Sequence, residues 1–178
     1  MRIAASGAHF TGKTTLITDL AEQLPGYDLV EEPYYILEER GYQFAELPSV
    51  EDFERQLLLS LRLIKESHEN TLFDRSPVDF IAYALCMENT VSFDLNSWLS
   101  RAVEGLAMLD LILFTPIDSR ISVPGSENSK LRHDVEEKLN DVLIYDCFGL
   151  DLAVLEVTGS RKERVDKVLK CISVPGRK

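Results

Sequence analysis

Gly7-Ala8-His9-Phe10-Thr11-Gly12-Lys13-Thr14-Thr15 is the stretch that decides how this 178-residue chain is read. It fits the spacing G-x-x-x-x-G-K-[ST], a loop that holds phosphate. Just before it, Ile3-Ala4-Ala5-Ser6 is short and apolar enough for a buried strand. Just after it, Leu16, Ile17, Leu20 and Leu24 recur at helical spacing until Pro25-Gly26 stops the helix. Strand, glycine loop, helix is the order the motif requires. Gly7 and Gly12 let the backbone turn sharply and approach an anion without a Cβ in the way. Successive N–H groups then face inward, and the helix N-terminus adds positive potential. Lys13 can reach β- and γ-phosphates, and the Thr14 hydroxyl can ligate Mg²⁺. The nine residues Gly7, Ala8, His9, Phe10, Thr11, Gly12, Lys13, Thr14 and Thr15 are therefore expected to bind a nucleotide.

Composition narrows the rest. The length suits one domain with a substantial core. A hydrophobic content of 45% and a charged content of 28% are those of an ordinary globular chain. The net charge of −11 argues against nucleic acid, because phosphate contacts need a basic face. Cys86, Cys147 and Cys171 are widely spaced and read as buried reduced thiols, not zinc ligands or disulfides. No apolar run is long enough to span a bilayer. The N-terminus is already the phosphate-loop strand, so no leader is expected and the location is read as cytoplasmic.

Beyond the loop, strands and helices alternate. Short strands are expected at 28–31, 71–74, 109–115 and 153–157. Helices are expected at 34–40, 50–68, 77–87, 95–107, 127–145 and 161–171, the one at 127–145 polar and exposed. Ser49 and Asp52 suit a capping box at the start of 50–68. Residues 117–132 read as a lid region, and 173–178 as a flexible tail of a single domain spanning 1–172. Alternation implies a parallel sheet with right-handed crossovers. Ligands of such sheets sit beyond the carboxyl ends of the strands. That rule gathers Gly7–Thr15, Glu31–Pro33, Asp74–Pro77, Thr115–Arg120 and Thr158–Ser160 into one place.

Several side chains there suit phosphoryl transfer. Asp74 can hold Mg²⁺; a local turn with Ser76 is the plainer alternative. Arg75 can grip phosphate with two parallel N–H groups. Glu31 and Glu32 point to opposite faces, so one alone can serve as a base for an acceptor hydroxyl; a solvated acidic turn is the equal alternative. Arg120 is the leading candidate to stabilise the phosphoryl group in flight, ahead of Lys130 and Arg132, which also suit surface pairs with Glu136 and Glu137. His9 reads as a side chain that lines the nucleotide site. His68 and His133 read as surface residues. Tyr34, Tyr35 and Tyr42 suit either ring stacking or the core.

These residues carry a resemblance. Residues 3–24 resemble the P-loop NTPases, whose loop is called Walker A. Glu32-Pro33 resembles the Glu-Pro motif of deoxynucleoside kinases, and Asp74-Arg75-Ser76 their acidic-Arg-Ser motif. That resemblance implies Glu32 as base, Asp74 as Mg²⁺ residue and Arg75 as phosphate ligand. The lid departs from it: Ser119-Arg120-Ile121-Ser122-Val123-Pro124-Gly125 carries one arginine where those kinases carry a series. Nearly the whole chain is similar to small AAA-labelled proteins, ATPases or kinases related to the ribosylnicotinamide kinase domain. Gly12-Lys13-Thr14-Thr15-Leu16, Asp74-Arg75-Ser76-Pro77-Val78-Asp79-Phe80 and Val157-Thr158-Gly159-Ser160 carry that similarity. It implies a three-layer α/β fold of the P-loop NTPases, a five-stranded parallel sheet in order 2-3-1-4-5. No sensor arrangement of the ring-forming ATPases is present, so a monomer or homodimer is expected. The implied function is an ATP- and Mg²⁺-dependent small-molecule kinase, a transferase with catalytic Lys13, Glu32, Arg75 and Arg120 and metal residues Thr14 and Asp74. The alternative is a regulatory ATPase or switch acting on a protein partner. ATP is expected over GTP, since Thr115-Pro116-Ile117-Asp118 is not the guanine-reading N-K-x-D.

Lys13→Ala should weaken Mg²⁺–ATP binding by about 10–100-fold, the worth of a charged hydrogen bond. Titration calorimetry measures it, and unchanged affinity would contradict the motif.

Overall fold

The computed structural model describes residues 1–87, 93–118 and 129–173. Its elements are β1 (Arg2–Ser6), α1 (Lys13–Gln23), β2 (Asp28–Val30), α2 (Pro33–Glu39), α3 (Val50–Glu66), β3 (Thr71–Asp74), α4 (Pro77–Met87), α5 (Leu95–Leu106), β4 (Leu111–Phe114), α6 (Ser129–Leu143), β5 (Val154–Glu156) and α7 (Arg161–Ile172). The strands form one sheet in order β2-β3-β1-β4-β5, each pairing parallel. Fold class and strand order are those expected. The register aligns Ala5 with Asp74 and Ser6 with Phe114, so the carboxyl ends of β1, β3 and β4 finish side by side.

β3 and β4 are buried along their whole length, as continuous apolar runs in parallel sheets are. Alternation along β1 sorts its side chains between two layers. Ile3 and Ala5 pack with Leu16, Ile17, Leu20 and Val168, beneath α1 and α7. Ala4 faces the opposite layer with Ile64 and Phe73. The larger core on that side joins Leu57, Val78, Ile81, Trp98, Leu106 and Leu139 from α3, α4, α5 and α6. The capping box forms: Ser49 Oγ accepts from the Asp52 amide, and Asp52 Oδ2 from the Ser49 amide. Among the described residues no helix is long and apolar enough to cross a membrane.

Three expectations need correction. The cysteines are not buried: Cys147 is exposed in the turn after α6, and Cys86 and Cys171, near the ends of α4 and α7, are only partly covered. The fourth strand covers Leu111–Phe114, not 109–115, because Asp110 is spent on the Arg2 amide with Oδ2 at 2.7 Å and the chain turns there. α6 is not an exposed helix. Val135, Leu139, Val142 and Leu143 are buried against the α4 side of the core. Their spacing of four, three and one places them on one stripe, which the many charged residues between them concealed. The lid expected at 117–132 falls largely on 119–128, outside the described residues, and most of the expected tail, 174–178, does too.

If α6 is a core helix, Leu139→Ala should cost about 2–5 kcal/mol of unfolding free energy. Denaturant titration checks this; a loss under about 0.5 kcal/mol, the range of an exposed substitution, would restore the exposed reading.

Candidate functional site: a phosphate loop between two cavities

β1 ends at Ser6, the loop closes, and α1 starts at Lys13. Gly12 sits at φ 87°, the left-handed region, which a side chain would strain. At Gly7 the constraint is space: a Cβ would lie 2.5 Å from the Thr115 carbonyl oxygen and 2.7 Å from Thr11 Oγ1. Three carbonyls of the loop are held by cationic side chains. Lys13 Nζ donates to the Ala8 oxygen (2.6 Å), Arg132 Nε to the His9 oxygen (2.9 Å) and an Arg164 Nη to the Thr11 oxygen (2.7 Å). Each carbonyl so engaged is one fewer negative dipole directed at an incoming anion.

The loop is fastened to the β3–α4 turn by Asp79. This fully buried carboxylate accepts from the Gly7 amide (2.9 Å) and the Ser76 amide (3.0 Å). The hydroxyls of Ser6 and Ser76 lie 2.5 Å apart beside it. Between them Arg75 takes a left-handed φ of 95°, a strained conformation for a side-chain-bearing residue, and so turns its guanidinium inward. Its Nε pairs with Glu32 Oε1, one Nη lies 3.8 Å from Asp79, and the group stands 5.5 Å over the Tyr83 ring. Burial alone would lower the Arg75 pKa, but Tyr83, Glu32 and Asp79 together raise it above its ordinary value. Glu32 is half-buried while Glu31 is exposed; both lie beyond β2, with Glu32 at the residue that opens α2.

Asp74 ends β3, buried, with a hydrogen bond from Thr14. Desolvation pushes its carboxyl above the usual range, with Glu32 adding to it. Three buried polar atoms at this site have no hydrogen-bond partner: Asp74 Oδ1, one Nη of Arg75 and one Nη of Arg132. Such orphans are expensive and call for a ligand. Two cationic donors and one carboxylate oxygen match an anion and a cation arriving together. Lys13 is also poised. Burial first, then the charge of Arg75, brings its pKa down to about 7.

The loop borders two cavities. One, about 500 Å³, is lined by Thr11, Gly12, Thr15, Asp118, Gly159 and Arg164. The other, about 330 Å³, has aromatic walls, Tyr34 stacked on Phe44 and Phe53 stacked on Tyr83, with His9, Glu32 and Arg75 opening into it.

The structure thus brings together Lys13, Thr14, Asp74, Arg75 and Glu32. Arg120 lies outside the described residues. Arg132, ranked below it from sequence, is buried against the loop, because α6 carries it inward on its core face. His68, His133 and Lys130 are exposed. Of the three tyrosines, Tyr34 lines a cavity, Tyr42 donates to Asp52 (3.0 Å) and Tyr35 is exposed. Sequence reasoning missed Asp79, Tyr83 and Arg164. Asp79 and Tyr83 are spaced by four on one face of α4, and that was the available signal; Arg75 lies in the turn before the helix.

Residues 2–164 match the AAA domain family across nearly all of that geometry. The chain belongs to the AAA domain family. No curated protein matches it. Among solved structures, thymidylate kinase from Ehrlichia chaffeensis is 16% identical, with a TM-score of 0.71 over 98% of both chains. Deoxyadenosine kinase from M. mycoides, with dCMP and dCDP bound, is 16% identical, with a TM-score of 0.66 over 97% of this chain and 98% of that one. The NadR protein in complex with NR is 19% identical, with a TM-score of 0.70; it aligns over 99% of this chain and 52% of its own length. At these identities the AAA-domain chain shares with them the fold.

The Lys13 pKa gives a signed prediction. A pKa near 7 without ligand leaves the amine largely neutral at pH 8, and bound phosphates favour its charged form. Binding Mg²⁺–ATP at pH 8 should therefore take up about one proton, falling toward none at pH 6. Calorimetry in buffers of different ionisation enthalpy reads this, and equal heats at pH 8 would mean a lysine already charged.

Proposed function

We propose that this AAA-domain protein is a kinase that moves the γ-phosphoryl group of ATP to a hydroxyl of a nucleoside-like small molecule. The observation that carries this reading is the aromatic cavity of about 330 Å³, into which the paired Glu32 and Arg75 open beside the phosphate loop. A switch needs the loop alone; a cavity of this kind on its other side has a use only if a second substrate enters.

In this reading Lys13 and the loop amides hold the β- and γ-phosphates, and the base occupies the cavity at Thr15, Asp118 and Gly159. Thr14 and Asp74 fit Mg²⁺: a hydroxyl and a carboxylate already joined, with one carboxylate oxygen unpartnered. The ion, when bound, neutralises phosphate charge. Among the described residues no cluster of three or more metal-ligating side chains exists, which suits an ion that draws its other ligands from phosphate and water.

Flat aromatic walls hold a ring of the acceptor. The acceptor hydroxyl oxygen attacks the γ-phosphorus in line, the bond to the β–γ bridging oxygen breaks, and ADP leaves with that electron pair. The hydroxyl proton passes to Glu32. Its Oε1 is held by Arg75, which fixes the carboxylate's direction and leaves Oε2 to accept. The Nη groups of Arg75 and Arg132 that lack a hydrogen bond supply positive charge to the phosphoryl oxygens. Arg132 takes the role that sequence gave first to Arg120. The expected setting is the cytoplasm, as a monomer or homodimer with no nucleic-acid or membrane partner.

Glu32→Gln keeps the shape of the base and removes its proton affinity. With an acceptor found by screening hydroxyl metabolites for ATP consumption above the water-only rate, it should lower kcat by about 10²–10⁴-fold while ATP affinity stays unchanged. Glu31→Gln should be nearly silent. ATP turnover stimulated only by a protein, or equal and silent effects of both substitutions, would defeat the kinase reading in favour of a regulatory switch.

A further inference from the structure

His9 belongs to the phosphate loop by sequence and to the aromatic cavity by position. Three contacts fix it. Its carbonyl oxygen accepts from Arg132 Nε at 2.9 Å. Its Nδ1 lies 2.7 Å from the Tyr83 hydroxyl. Its ring lies against that of Tyr83, with centroids 5.1 Å apart at 30°. Tyr83 is itself buried and stacked on Phe53 at 5.1 Å.

The hydrogen bonds of Tyr83 determine the tautomer. The Arg75 guanidinium lies over the face of the Tyr83 ring, 5.5 Å from its centroid, and among the described residues the hydrogen-bond partner of the phenol is His9 Nδ1. The phenol has one proton to place, and that proton goes to His9 Nδ1. The reverse arrangement, Nδ1–H donating to the phenol, would leave a buried O–H with no acceptor. Both groups are in the protonation state this needs. Burial pushes Tyr83 up to about 12, and burial with the charges of Arg75, Lys13 and Arg132 brings His9 down to about 4. The one proton of the neutral imidazole is then on Nε2, the ring nitrogen that Tyr83 leaves free.

We propose that His9 is an acceptor-recognition residue whose Nε2–H donates a hydrogen bond to a second hydroxyl of the acceptor, so that the cavity selects a polyol such as a ribose over a compound with one hydroxyl. This rests on the kinase reading: Glu32 handles the hydroxyl that is phosphorylated, and His9, on the wall of the same cavity, holds another. Two hydroxyls gripped at once fix both the position and the rotation of the sugar, which a single hydrogen bond leaves open.

The test uses ribonucleosides with their 2′-deoxy and 3′-deoxy counterparts as acceptors, at saturating Mg²⁺–ATP. The wild-type protein should favour one fully hydroxylated compound over one of its deoxy forms by about tenfold in kcat/KM, the worth of one hydrogen bond. His9→Ala should erase that preference by raising KM for the hydroxylated compound and not for its deoxy form; because His9 is part of the phosphate loop, its effect on ATP affinity is measured separately and is common to both acceptors. His9→Gln, which can place an N–H near the Nε2 position, should restore part of it. ¹⁵N NMR of the unliganded protein should show His9 as the Nε2–H tautomer, and Tyr83→Phe should perturb that signal. A preference that survives in His9→Ala, or an Nδ1–H tautomer, overturns the proposal and leaves the kinase reading standing. No turnover with any hydroxyl compound in the wild-type protein overturns both.

Discussion

The site depends on one buried carboxylate. Asp79 is wholly shielded from water and accepts from the amides of Gly7 and Ser76. Desolvation pushes its pKa up, against the pull of Arg75, Lys13 and the two N–H groups. Through it the first glycine of the phosphate loop and the turn after β3 become one rigid piece. A loop of glycines has much conformational freedom to lose, so its geometry must be imposed from outside. Here α4 imposes it, and the same residue keeps Arg75 within 3.8 Å, in a backbone conformation that would otherwise relax. The strain at Arg75 and the carboxylate that over-determines it belong to a single device.

Around that anchor lies an excess of buried charge in a chain whose net charge is −11. Lys13, Arg75, Arg132 and Arg164 are all buried, near Asp74, Asp79 and the half-buried Glu32. Buried ions stabilise a fold poorly, since removing them from water costs several kcal/mol per ion and pairing returns that only with good geometry. Here the geometry is left incomplete: one oxygen of Asp74 and an Nη of each of two arginines lack a hydrogen bond, the Arg75 Nη lying 3.8 Å from Asp79. A fold that needed these residues only for stability would have paired them or replaced them with apolar ones. Their arrangement suits a site whose remaining partners come with its substrate.

The legible part of the sequence was whatever obeyed a short local rule. Gly7–Thr15 announced itself by spacing, the strands by apolar runs, and the helix at 50–66 by Ser49 and Asp52. Strand order came from resemblance, and the neighbours of β1 proved to be β3 and β4 as that implied. Glu32 was separable from Glu31 by resemblance, through the Glu-Pro pair; alternation said only that the two point apart. What stayed hidden depends on tertiary placement. Arg132 looked like any lysine or arginine on a charged helix until the buried stripe of Val135, Leu139 and Val142 turned it inward. Asp79 sits in the first turn of α4, and nothing local says that its oxygens reach an amide seventy-two positions away. The aromatic cavity draws on α2, the loop after it, α3 and α4, so no window of sequence contains it.

The sheet order also explains why the two cavities are chemically different. Because β1 lies between β3 and β4, the loop after it has unlike neighbours on its two sides. Toward β4 and β5 it meets Thr115, Gly159 and Arg164, small groups and a cation, around an open cavity. Toward β3 and β2 it meets Asp74, Arg75 and Glu32, and beyond them the aromatic residues of α2, α3 and α4. The phosphate loop is the only segment of the described chain that touches both. A group bound by it is therefore presented to two environments at once, one open and lined by small groups and a cation, and one that carries the Glu32 carboxylate. Parallel topology places strand ends together; this particular order places unlike strand ends on opposite sides of one anion site, which is the arrangement a transfer between two substrates requires.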